Sequence, residues 1–178
     1  MPSLEQTNRQ AANLYWLAFL LTGHPEESAD MAADAMPAPD GDGFFSAWML
    51  AWSRKVVISR ALAAIRQELA ASAQRIAAAR TPRCATARPR NFSPAPAANK
   101  RELERALLAI DAFPRCVLLL LLFEGLSVDD AVVLLDADRD LVRKAQVLAL
   151  QELTANLACV SIEPRPEGAV ISQEASLV

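Results

Sequence analysis

Glycine is scarce in this chain, with five residues in 178. Glycine-rich phosphate loops and turn-dense β architectures are therefore not expected. There is one histidine, His24, which rules out a His-rich metal centre; its setting, His24-Pro25-Glu26-Glu27, suits a turn better than a catalyst. The three cysteines, Cys84, Cys116 and Cys159, are far apart, odd in number and without a C-x-x-C pair. That pattern argues against a zinc knuckle and a disulfide framework, and fits small apolar fillers in a reducing cytosol. Long apolar runs are missing as well. The longest, residues 116–123, is bracketed by Arg115 and Glu124, far short of the ~20 residues that span a bilayer, and reads as a fully buried helix. The opening MPSLEQTNRQ has no basic region leading into an apolar core, so no signal peptide is expected. Paired carboxylates, a nucleophile with its base and a metal-ligand set are not discernible. The expectation is a cytoplasmic protein that is not an enzyme, with no cofactor, no metal, no small-molecule substrate and no membrane partner.

What is present is apolar and helix-forming: 53% of residues are hydrophobic, enough for one medium domain or two small ones. A net charge of −3 hides strong segregation. Residues 1–53 set Arg9 alone against seven carboxylates, whereas residues 54–101 set eleven Lys and Arg against Glu68 alone. Residues 102–157 turn acidic again, with ten carboxylates against five cations. The central block can meet phosphate with counterion release, fold against its acidic flanks, or be a solvated helix face.

Helical periodicity organises the chain into two modules. Ala11, Leu14, Tyr15, Ala18 and Leu21 mark an amphipathic helix that stops at Gly23. Pro25 with Glu26 and Glu27 starts a second, which ends before Pro37. A long helix runs from about Phe44 to about Arg80 with Phe45, Trp48, Trp52 and Val56 on one stripe, at least one of the tryptophans being expected in the core. Residues 81–99 carry four prolines and no periodicity, the mark of a linker. Leu103, Leu107 and Ile110 then form one helical stripe, and Pro114 opens a helix that stops at Gly125. Ser127 with Asp130 starts a short helix, Asp136-Ala137-Asp138 forms a tight turn, and Asp138 caps a last helix from Arg139 to about Leu157. This is a helix-turn-helix, with Ala131, Leu134, Leu135, Val142 and Leu150 as its expected buried positions.

These residues resemble a known family. Leu14-Tyr15-x-Leu17-Ala18-x-x-Leu21-Thr22-Gly23-x-Pro25-Glu26-Glu27-x-Ala29-Asp30 is similar to the opening of domain 2 of extracytoplasmic-function (ECF) sigma factors of bacterial RNA polymerase. Phe45-Ser46-Ala47-Trp48-Met49 resembles the start of that domain's promoter-facing helix. Leu103 through Pro114-Arg115, then residues 117–120, Glu124-Gly125-Leu126-Ser127, Asp130-Ala131, Leu134-Leu135, Val142-Arg143 and Ala149-Leu150 resemble domain 4.

The resemblance implies an all-α fold of two helical domains joined by a flexible linker. Residues 1–80 would form a domain 2-like bundle, 81–99 a proline-rich basic linker, 100–158 a domain 4-like helix-turn-helix and 159–178 a disordered tail. It implies core RNA polymerase and promoter DNA as partners, and leaves room for an anti-sigma factor. Arg139, Arg143, Lys144 and Gln146 would read the major groove of the minus-thirty-five element. Trp48, Trp52, Arg54, Lys55 and Arg60 would serve opening at the minus-ten element. The family's polymerase-docking pattern, Asp-x-x-Gln-x-x-Phe, falls on Asp30, Ala33 and Met36, of which the aspartate alone matches. The competing expectation is a sigma-like protein with decayed DNA reading, acting through protein contacts as a decoy or adaptor.

Overall fold

A computed structural model describes residues 4–36, 43–79 and 99–160, and every described element is a helix. The first, α1 (Leu4–Thr22), buries Leu14, Leu17, Ala18 and Leu21 at the expected spacing. It ends where Gly23 adopts φ +78, a conformation that a side chain would strain. Thr22 Oγ1 donates to Ala18 O at 3.0 Å and accepts from His24 N at 3.1 Å, while Ser28 Oγ donates to His24 O at 2.5 Å. His24 is thus a corner residue, leading into α2 (Pro25–Ala35) with proline in its first turn. The helix ends ahead of Pro37, as the sequence predicts.

The long helix expected over 44–80 is divided. Its parts are α3 (Gly43–Ala64) and α4 (Arg66–Ala78), and Ile65 between them departs from helical geometry at φ −98, ψ 17. The bonds Ile65 N to Ala61 O and Leu69 N to Ile65 O persist across the bend. The bend leaves Leu69, Ser72 and Ile76 of α4 buried, and α4 packs on α6 (Ala112–Leu118). At that contact the Ser72 hydroxyl accepts from Phe113 N at 3.1 Å.

Residue 99, placed in the linker by the sequence reading, instead caps α5 (Lys100–Leu108). Asn99 Oδ1 accepts from Glu102 N and Glu102 Oε2 from Asn99 N, both at 2.9 Å. The rest of the expected linker, 81–98, and most of the expected tail lie outside the described residues. Asp111, rather than Pro114, begins α6, its carboxylate accepting from Ala112 N. The leucine run then widens into a π-helical turn, Leu119–Phe123, with Glu124 N bonded to Leu119 O. The extra residue in that turn changes the facing of the run's end. Cys116–Leu120 are buried as expected, but Leu122 and Phe123 are about half exposed, so the run is not a fully buried helix.

The helix-turn-helix consists of α7 (Val128–Leu135), a three-residue turn and α8 (Arg139–Val160). Ser127 Oγ accepts from Asp130 N at 3.1 Å and donates to Asp130 Oδ2 at 2.6 Å, the expected start signal. Asp136 ends α7 in the left-handed region, at φ +48. Asp138 O accepts from Val142 N and closes the first turn of α8. Ala131 and Val142 are buried as expected, but Leu134 and Leu150 face outward; Ala145 and Ala149 bring α8 onto α6 instead. Small side chains permit a close helix approach that leucines would hold apart.

Sequence separates the chain into two bodies, yet in the structure their buried side chains form one continuous cluster, from Leu14 and Val57 through Phe113 to Ala149. Arg115 sits at the junction, 5% exposed. Its Nη1 donates to Leu108 O at 3.2 Å and Ile110 O at 3.1 Å, and its Nη2 to Leu21 O at 3.3 Å. Replacing Arg115 with Met leaves two buried carbonyls and one part-buried carbonyl without this donor and should lower the unfolding free energy by about 3 kcal/mol in urea titration; a loss near zero would show that these bonds carry nothing. Burial pushes the neighbouring Cys116 thiol up to about 12, whereas Cys159 is exposed. Native-state alkylation is therefore expected to label Cys159 and spare Cys116 until the chain unfolds.

Candidate nucleic-acid interface

The first turns of α8 carry three of the four residues expected to read bases, and the structure gives each a different setting. Arg139 is exposed, with Nη1 3.0 Å from Asp129 Oδ1 on α7. Asp136, Asp138 and Asp140 are exposed around it, but the ion pair is with Asp129. Arg143, one turn on, is exposed and has no hydrogen bond or ion pair among the described residues. Lys144 lies about 100° further round the helix and is half-buried. Its Nζ donates to Ile76 O at 2.5 Å and Ala79 O at 2.6 Å, capping the C-terminal end of α4. A cation suits that position because the last carbonyls of a helix are unpaired and partially negative. Gln146 is half-buried, and the outward face continues through Val147 and Leu150, both exposed.

On α3 the buried residues are Ser53, Val57, Ile58, Ala61 and Leu62. Trp48 and Trp52 turn the other way and are 61% and 56% exposed, so neither tryptophan is in the core. Their rings stack on each other, with centroids 6.0 Å apart and planes at 14°. Phe45, expected on the same stripe, has a side chain outside the described residues. Side-chain size misleads here: α3 packs through Ser53, Val57, Ile58, Ala61 and Leu62, and the two larger tryptophans are exposed.

The cations beside this pair divide similarly. Lys55 is exposed and, among the described residues, unpaired. Arg54 turns towards the second half, where Nε donates to Glu124 Oε2 at 2.9 Å and Nη2 to Glu124 Oε1. The Glu124 hydrogen bond raises the Arg54 pKa; burial opposes it and the Glu124 charge adds to it. Arg60 Nη1 bonds Asp34 Oδ2 at 2.5 Å, an exposed pair between α3 and α2. Asp30 and Ala33 are exposed on α2, while Met36 packs against the core.

Compared with family models, curated proteins and solved structures, the chain matches none.

Taken on its own geometry, the surface offers a stacked aromatic pair with Lys55 beside it and, on the second half, Arg139 and Arg143 on one outward helix face. No helix of the described residues is long and apolar enough to cross a membrane, and none of their His, Cys, Asp and Glu side chains group to hold a metal ion. A groove of about 930 Å³ with a mixed lining runs between α4 and the turn of the helix-turn-helix, bordered by Arg66, Leu69, Val133, Asp136, Asp138 and Leu141 among others. Sequence reasoning names Arg54, Arg60, Arg139 and Lys144 but none of the groups that hold them. Three of those partners lie 26 to 70 residues away in the chain, beyond any local pattern. Because both tryptophans are exposed, Trp48→Ala with Trp52→Ala should cost no more than about 1 kcal/mol in urea unfolding. Leu14→Ala in the core should cost about 3 kcal/mol; similar losses for the two would place the tryptophans in a packed interior.

Proposed function

We propose that the protein is a sigma-type initiation factor, which binds core RNA polymerase and directs it to promoter DNA. The observation that carries this reading is the helix-turn-helix itself. Ser127 caps its first helix, Asp136 makes its left-handed turn, and α8 projects Arg139 and Arg143 from one face. A helix of this kind fits the major groove, where arginine recognises guanine by paired hydrogen bonds worth about 1–3 kcal/mol against the wrong base. The exposed Trp48–Trp52 pair supports the second requirement. Unpaired bases stack on aromatic faces at about 1–3 kcal/mol each, and Lys55 supplies a nearby cation for the backbone. Asp30 and Ala33, outward on α2, are the positions at which polymerase would dock.

A second reading, a sigma-like protein that acts through protein contacts, is favoured by the apolar end of the outward α8 face. Val147 and Leu150 stand where a DNA-reading helix gains from polar groups. Run-off transcription with bacterial core polymerase on the protein's own upstream region separates the two. Transcripts that are lost or relaxed in start-site choice with Arg143→Ala are the expected result. Association with core polymerase but no transcript and no footprint would establish the protein-contact reading instead.

A further inference from the structure

We propose that the outward face of α8 is a self-association surface, on which a second copy of this chain packs its own α8 in antiparallel order. The inference rests on the shape and charge of that helix and on neither reading of function.

Arg143, Val147, Leu150, Gln151, Thr154 and Ala158 are all exposed. At about 3.6 residues per turn they fall within one arc of about 100°, and the buried Val142, Ala145 and Ala149 lie on the opposite side. A solvated helix face ordinarily carries charge along its length. This face has Arg143 near its start and is uncharged from Val147 to Ala158. Glu152, the charged residue of that stretch, borders the recess beside Asp111 instead. Val147 and Leu150, 55% and 38% exposed, stand one turn apart and form a single apolar contact point.

The position of that point selects the occupant. α8 runs from Arg139 to Val160, and Val147 with Leu150 lies at its middle. A two-fold axis passing between them sets Val147 of each copy against Leu150 of the other, the two helices overlapping along most of their ~33 Å length. The same axis places Arg143 opposite the other copy's Thr154. Helical side chains lean towards the N-terminus, so Arg143 reaches for the other helix's C-terminal turn, where partially negative carbonyls have no basic residue beside them. Arg143 gives up no ion pair among the described residues to do so. Asp140 on the same flank opposes this attraction, so the apolar centre supplies most of the affinity. A parallel pair would set Arg143 against Arg143, and a DNA groove offers Val147 and Leu150 little beyond thymine methyl groups. One helix pair is small beside the ~800 Å² per partner of a standard interface, which makes the dimer a weak one.

Sedimentation equilibrium of the full chain from about 2 to about 200 μM, at fixed salt, tests this. The parent protein is expected to pass from monomer to dimer over that range. Val147→Lys and Leu150→Glu, both at exposed positions, should each weaken the dimer about tenfold or more, because each sets a charge against an apolar residue twice. Continued protection of Cys116 from alkylation checks that both variants are folded. An equimolar mixture of the two should recover the dimer, since the introduced charges then face each other on one side of the axis and Leu150 meets Val147 on the other. A parent that stays monomeric throughout, a dimer that both variants retain, or a mixture that fails to recover overturns the inference. So does a monomer whose α8 hydrogen exchange slows only when duplex or core polymerase is added, which assigns the face to that occupant.

Discussion

The arrangement of the two halves depends on one buried cation. Arg115 has no carboxylate partner; it is held by carbonyl oxygens at the ends of α1 and α5 and in the turn after α5. The C-terminal end of a helix carries partial negative charge, so two such ends converging on one guanidinium offset much of its burial cost. The same contact draws the first half in, since Leu21 lies 94 residues before Arg115. Arg115 Nε has no partner, so the site is not fully satisfied. An uncompensated donor is tolerable where the alternative is to strand three acceptors.

Around that junction the charge segregation of the sequence acquires a physical meaning. Arg54, Arg60 and Arg75, all from the basic central block, pair with Glu124, Asp34 and Asp111 from the acidic blocks on either side. Of the uses open to a run of cations, the described part of this block takes internal pairing as well as solvent exposure. The pairs differ in weight. Arg60–Asp34 is exposed on both sides and adds little. Glu124 is nearly covered, so breaking its pair leaves a desolvated carboxylate, which makes that contact a determinant of how the halves fit.

Local chemistry was legible in the sequence; facing and long-range pairing were not. Gly23 as a stop, Pro25 as a start, the Ser127 cap and the 136–138 turn all follow from residues within one helical turn of each other. Asn99 with Glu102 has the same short-range form, but the prolines before it drew the linker one residue too far. The errors come from faces. Trp48 and Trp52 are large and apolar, yet α3 packs through Ser53, Val57, Ile58, Ala61 and Leu62; Leu134 and Leu150 likewise yield to Ala145 and Ala149. Where helices approach closely, volume at the contact is limiting, and hydrophobicity alone selects the wrong side. The π-helical turn after Leu118 shifts the register again, and the leucine run itself carries no sign of it.

The candidate interface inherits this division. Residues whose role needs only exposure on a helix, such as Arg143 and Lys55, can be picked from spacing. Residues whose role depends on what lies opposite cannot: Lys144 and Arg143 are neighbours in sequence, yet one caps α4 and the other is, among the described residues, unpaired. A face of α8 assembled from sequence thus counts more positive charge than the structure presents outward. Near Asp129, Asp136, Asp138 and Asp140, the loss of even one cation matters, because phosphate approaching that end meets four carboxylates. The net field at the start of α8, more than the number of arginines on it, therefore sets how strongly this surface can attract an anionic partner.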